Sequence, residues 1–218
     1  MKQLFQPRNP LVRTFAQTLK RYCPDAQNLL NSGAIETEID LFKNRCQQSL
    51  PETFYDFYRW YNGSAYESSE NKWLLPFEHG RSILSLASIV KEKKFWDTQS
   101  QVNFQEWQPG EYWNKAWIPF MKVDDLWLRV VDTKGCFDGT PGQIISFECK
   151  NEPLRSIECD SFDKWLETVI AKIELECLFK EFHEIGLEEE KAIFAIDKRI
   201  NPNRHSVELA PVKTYNTW

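Results

Sequence analysis

Between Trp117 and Glu158 the chain carries four short runs of strand-forming residues with no room for a helix between them. The runs are Trp117–Phe120, Leu126–Asp132, Gln143–Cys149 and Arg155–Glu158, and turn-forming residues separate them. Strands this close in sequence pair antiparallel, because a parallel neighbour needs a crossover of roughly a dozen residues or more. An antiparallel sheet is therefore the centre of the expected fold.

The flanks have a helical period. Asn9 followed by Pro10 opens a first helix, with Leu11, Phe15, Leu19 and Tyr22 on one face and Cys23-Pro24 as its stop. Ile35, Ile39, Phe42 and Cys46 mark a second, expected to start near Ser32. Ser49 and Glu52 stand at capping-box spacing for a third, in which Leu50, Phe54, Phe57, Tyr58 and Tyr61 share a face. Asn62-Gly63 supplies a left-handed stop. Trp73–Phe77 reads as a short strand, Ser82–Phe95 as a helix, and Asp97–Lys115 as a polar loop carrying Trp107, Tyr112 and Trp113. Asp160 or Ser161 caps a closing helix with the stripe Phe162, Trp165, Leu166, Val169 and Ile173. A last helix is expected over Leu187–Arg199, then a polar tail. The class is α+β in a single domain: N-terminal helices, a mainly antiparallel sheet of about four to six strands and a packed closing helix.

Composition narrows the function. Lys and Arg number 27 against 32 Asp and Glu, a net charge of -5, so the basic face that phosphate contacts require is not favoured. The longest apolar run, Ala116–Met121, is far shorter than the roughly 20 residues of a membrane span. With an N-terminus lacking a signal-like apolar stretch, a soluble cytoplasmic protein is expected. Cys23, Cys46, Cys136, Cys149, Cys159 and Cys177 include no C-x-x-C pair and read as free thiols packed like small hydrophobes.

Chemistry-bearing motifs fail one by one. His183-Glu184 begins a zinc-helix pattern, but Leu187 stands where the second histidine belongs; His79 and His205 read as surface residues. Asp124, Asp125, Asp132 and Asp138 are close enough in sequence for acid/base or divalent-metal chemistry. Asp124-Asp125 nevertheless falls at a hairpin turn, where Asp is favoured for bonding its own backbone. Gly139-Thr140-Pro141-Gly142 precedes a strand, whereas a phosphate cradle precedes a helix. Neither a catalytic constellation nor a cofactor or metal site is expected.

One ordered set of residues carries more. The stretch Leu50-Pro51-Glu52-Thr53-Phe54-Tyr55-Asp56-Phe57-Tyr58-Arg59-Trp60-Tyr61-Asn62-Gly63 resembles the signature helix of the SUKH superfamily, which includes the Smi/Knr-type family of fungal cell-wall glucan synthesis regulators. Trp117-Ile118-Pro119-Phe120 resembles that family's Trp-x-Pro strand, and Leu128–Asp132 its next strand, ending in Asp. Gly139-Thr140-Pro141-Gly142-Gln143-Ile144 and Ser161-Phe162-Asp163-Lys164-Trp165-Leu166 resemble its later turn and closing helix. The matches run in the family's order over roughly residues 35 to 175. Physically, Pro51 and Glu52 suit a first helical turn, Gly63 permits positive φ, and Asn62 and Asp132 can bond loop backbone. The motif is read as a folding signature first.

The resemblance implies a SUKH-like domain over 35–178, after a helical lead-in at 1–34 and before a helical extension and tail at 179–218. It also implies a non-catalytic binding module with a protein partner; the charge balance and the short apolar runs argue against direct nucleic-acid or membrane contact, and a homodimer is compatible with both. Bacterial relatives look like immunity proteins that neutralise a cognate toxin, often a nuclease. Fungal relatives act in cell-wall signalling. A metal-dependent hydrolase using the Asp cluster is the remaining alternative. Aromatic residues dominate interface hot spots, so Trp60, placed on the helix face opposite Phe57, and Trp107, Tyr112 and Trp113 in the long loop are the candidate contacts. The competing reading is that these rings cover the sheet.

Overall fold

The computed structural model describes residues 6–24, 30–64, 82–102, 107–108, 110–123, 127–148, 153–175 and 185–210. Three helices come first, α1 (Pro10–Tyr22), α2 (Glu36–Cys46) and α3 (Glu52–Trp60). A two-residue strand β1 (Ser82–Ile83) and helix α4 (Leu86–Val102) precede the strands β2 (Trp117–Val123), β3 (Trp127–Asp132), β4 (Gln143–Glu148) and β5 (Leu154–Cys159). Helices α5 (Phe162–Glu174) and α6 (Leu187–Ile200) and a last strand β6 (His205–Glu208) close the order. The sheet runs β1-β2-β3-β4-β5-β6, every neighbouring pair antiparallel. The α+β expectation therefore holds. The proposed strand at Trp73–Phe77 and the Asp124-Asp125 turn lie outside the described residues, as do His79, His183, Cys149 and Cys177.

Side chains alternate across the sheet with a period of two, and each face has its own core. Val131 and Ile144 face a helical cluster with Phe15 and Leu19 of α1, Phe54 and Phe57 of α3, and Trp165 of α5. Leu128, Val130, Ile145 and Phe147 face a second cluster with Trp96, Trp107, Tyr112, Trp113 and Trp117. A bulge between Pro119 and Met121 adjusts the alternation in β2, so that Ile118, Phe120 and Met121 all reach the helical side, and a second, opposite Ile144 and Ile145, lets Ile157 and Cys159 of β5 face different cores.

Several boundaries differ from expectation, each for a local reason. Helix α2 starts at Glu36 rather than near Ser32, because the preceding segment is docked on α3: Ala34 N–H donates to Tyr58 O and Asn31 N–H to Gly63 O. Gly33 is required there, since a Cβ would lie 1.7 Å from the Arg59 carbonyl oxygen. The Ser49/Glu52 capping box does not form. Pro51 is the N-cap of α3, and the Glu52 carboxylate pairs instead with Arg59. Ser82 begins a strand, not a helix, and α4 runs on through Asp97 to Val102, shortening the expected loop. The polar tail conceals β6, which pairs Leu154 with Glu208 and Ile157 with His205.

Candidate functional site

The residues of the family-like motif are built into the frame. Asn62 Oδ1 accepts from Leu86 N–H at 2.9 Å, capping the first turn of α4 from a distant loop. Gly63 (φ 78°) approaches the Leu84–Ser85 peptide so closely that a Cβ would sit 2.4 Å from Ser85 N. The Asn-Gly pair is thus a junction between α3 and α4. On α3, Phe57 meets Phe15, Trp60, Tyr61, Phe162 and Trp165 with ring centroids 5.6–6.3 Å apart. Tyr58 and Tyr61 are fully enclosed, and burial holds both phenols well above their ordinary pKa. Tyr58 Oη donates to Leu84 O.

Asp132, with no exposed surface, organises the β3–β4 connection. Its Oδ2 accepts from Cys136 N–H and Gln143 Nε2, and its Oδ1 from Lys134 N–H at 3.0 Å. Gln143 also donates to Cys136 O, and its side-chain oxygen would lie 1.9 Å from a Cβ at Gly139. Gly142 takes φ 97°, and its N–H donates to Asp132 O. Trp117 and Asp132 are register partners, and Pro119 pairs with Val130. Asp132, Gly139, Gly142 and Gln143 therefore form one turn scaffold. Both carboxylate oxygens of Asp132 are engaged and shielded from solvent, an arrangement unsuited to a base or metal ligand. Among the described residues no three His, Cys, Asp or Glu side chains are grouped to hold a metal.

The four candidate contact rings are placed differently from the sequence expectation. Trp107, Tyr112 and Trp113 are only 8%, 2% and 2% exposed and belong to the second core cluster. Trp113 Nε1 donates to Asp97 at 2.8 Å, and Arg155, fully buried, lies 4.8 Å from the Tyr112 ring centroid and 4.7 Å from that of Phe147. These rings cover the sheet and leave little surface for a partner. Trp60 is half-buried and does not oppose Phe57: three residues apart on a helix are neighbours, and the two rings touch. Phe15 of α1 packs edge-on against it.

Sequence reasoning passed over two charged junctions. Arg59 bridges Glu36 of α2 and Glu52 of α3, and this pairing lowers the Glu36 pKa while raising that of Arg59. Buried Asp56 accepts from Asn9 N–H at 2.8 Å, tying the cap of α1 to α3. An Asp within an aromatic helix was the available signal. The free thiols read from the sequence are present at Cys23, Cys46, Cys136 and Cys159.

The sequence model of the SMI1 / KNR4 family (SUKH-1) matches residues 33–168, well over half of the chain. The chain belongs to the SMI1/KNR4 family. No curated protein matches it. In this SUKH-1 member, elements outside the matched span bond directly into it. Asn9 engages Thr53 and Asp56, and Asn201 donates to Thr168 Oγ1 at 2.9 Å. Helix α1 adds Val12, Phe15 and Leu19 to the helical core, and β6 extends the sheet. No helix among the described residues is long and apolar enough to cross a membrane.

Proposed function

We propose that this SUKH-1 chain is a non-catalytic protein-binding module and acts as an intracellular immunity protein that neutralises a cognate toxin of the nuclease type. Family membership supports a protein-binding role in immunity or regulation. The observation that carries the non-catalytic reading is the employment of the motif's polar side chains. Asn62, Asp132 and Gln143 bond the protein's own backbone or one another, so the shared signature preserves a shape rather than a reactive group. Net charge -5 suits capture of a basic nuclease, because opposite charge speeds encounter.

The test is to express the chain in cells challenged with a panel of toxin domains, nucleases first. Rescue from one toxin and no other is the expected result. Survival against none, together with altered wall composition when the chain is removed from its source cell, favours the second reading, a regulatory scaffold in cell-wall glucan synthesis. That reading rests on the family's name and fungal members alone. For the hydrolase alternative, Asp132→Asn is decisive: ion-dependent turnover abolished by this change in a folded protein would displace the binding-module reading.

A further inference from the structure

The helix-facing side of the sheet has an end that the helical core does not cover. Register pairs join Trp127 to Glu148 and Leu154 to Glu208, and the pairing of Phe147 with Arg155 brings Glu148 beside Leu154. Trp127, Glu148, Leu154 and Glu208 therefore form one cross-strand row over β3, β4, β5 and β6. All four lie on the side of Val131 and Ile144 by the period-two alternation, two rows beyond them. The apolar members are open, with Trp127 39% and Leu154 51% exposed, and Glu208 is exposed at the sheet edge. In the next row Arg129 is ion-paired with Glu158. Apolar and acidic side chains alternate along the row, and it contains no cation.

The spacing specifies a partner. Neighbouring strands lie about 4.8 Å apart, so the row is about 14 Å long with its two carboxylates about 10 Å apart. A helix laid across the strands rises about 1.5 Å per residue, which puts residues seven apart about 10.5 Å from each other and those three or four apart about 5 Å. Basic residues at i and i+7, each with an apolar residue three or four positions away, would meet both carboxylates and both apolar side chains. A basic side chain between Trp127 and Glu148 would gain both a ring face and a charge.

We propose that this row is the docking surface of the module and that it receives a basic amphipathic helix of the protein partner. The proposal rests on the binding-module reading above and supplies the partner's chemistry. It also replaces the buried rings of the 107–113 segment with Trp127 as the aromatic contact.

The probe is a synthetic helical peptide with Lys seven residues apart and Leu four residues before each Lys, alongside a control peptide with Glu for Lys. Titration up to millimolar peptide is followed by the Trp indole and Leu methyl resonances of the labelled full chain. Saturable shifts at Trp127 and Leu154 are expected with the Lys peptide only. Affinity should fall at least 10-fold in E148K/E208K and in Leu154→Ala, and stay within 2-fold in Phe194→Ala, which alters an exposed ring of α6. Glu208 is exposed and Glu148 half-buried, so circular dichroism checks that the double variant is folded. No saturable binding, undiminished binding in E148K/E208K, or shifts centred on Leu187 and Phe194 would overturn the proposal. A toxin neutralised equally by wild type and E148K/E208K would remove the surface and keep the immunity reading. Peptide binding at the row with no toxin neutralised would remove the immunity reading and keep the surface.

Discussion

The two faces of the sheet are both packed with aromatic rings, but by different means. On one side periodic helices deliver Phe15, Phe57 and Trp165, and apolar contact dominates. On the other, the rings of Trp107, Tyr112 and Trp113 come from an irregular segment after α4, and polar bonds position them. Lys93 of α4 pairs with Asp97 and donates to Lys115 O, Asp97 accepts from Trp113, and Arg155 donates to Tyr112 O. Helices orient side chains by their own geometry. A segment without regular hydrogen bonding needs side-chain bonds to do the same, and its stability is then tied to a few polar groups.

The largest effect expected from this difference is at Phe57, where truncation to Ala should cost about 3–5 kcal/mol, read from the urea midpoint. It should loosen α1, α3 and α5 together. A localised effect confined to α3 would contradict a continuous helical core. Next is Asp97→Ala, expected at about 1–3 kcal/mol because it strips partners from Lys93 and Trp113. Protease cleavage and amide exchange should rise around residues 107–116 while α1 and α5 stay protected. Equal loosening of both faces would show that they are one cooperative unit.

Asn9→Ala should cost about 1 kcal/mol, since the side chain caps Leu11 N–H and bonds Thr53. Exchange should accelerate in α1 before any other helix. The smallest effect concerns thiols. Burial pushes Cys46, behind the helical face, and Cys136, beside the ring face, each up to about 11. A raised thiol pKa stabilises the fold below the ordinary value of 9.0, and that contribution is lost as pH rises from about 9 towards 11. Alkylation mapped by mass spectrometry at pH 8.5 should be slow at both and reach Cys136 first, because Cys46 is only 4% exposed. The reverse order would place the weaker face on the helical side.

Periodicity made the helical face readable before any coordinates: the stripes of α1, α3 and α5 and the strands β2 to β5 stand nearly where spacing puts them. The ordered motif around Pro51, Asn62 and Asp132 identified the superfamily. The ring face was harder, because a Trp in a polar stretch looks the same whether it faces a partner or a sheet; only the bonds to Asp97 and Arg155, remote in sequence from the rings they hold, separate the two. Strand β6 was missed because four residues beyond a Pro, with Val207 the one apolar side chain among them, carry almost no local signal. The docking row was half legible, since Trp127 belongs to a recognised strand. Its alignment with Leu154 and Glu208 depends on register, which only the folded sheet specifies.

The hydroxyls of Ser156 and Ser206 stand 3.2 Å apart although the residues are 50 positions apart in the chain. A ribosome adding about 5–20 residues per second needs about 3–10 s to cover that interval. Through that time the outer edge of β5 has no β6 beside it, and an unpaired edge can recruit a strand from another nascent chain. Biosynthesis thus leaves a brief window in which the fourth member of the sheet's mixed apolar and acidic row is still missing, and the edge of β5 is covered only as β6 arrives.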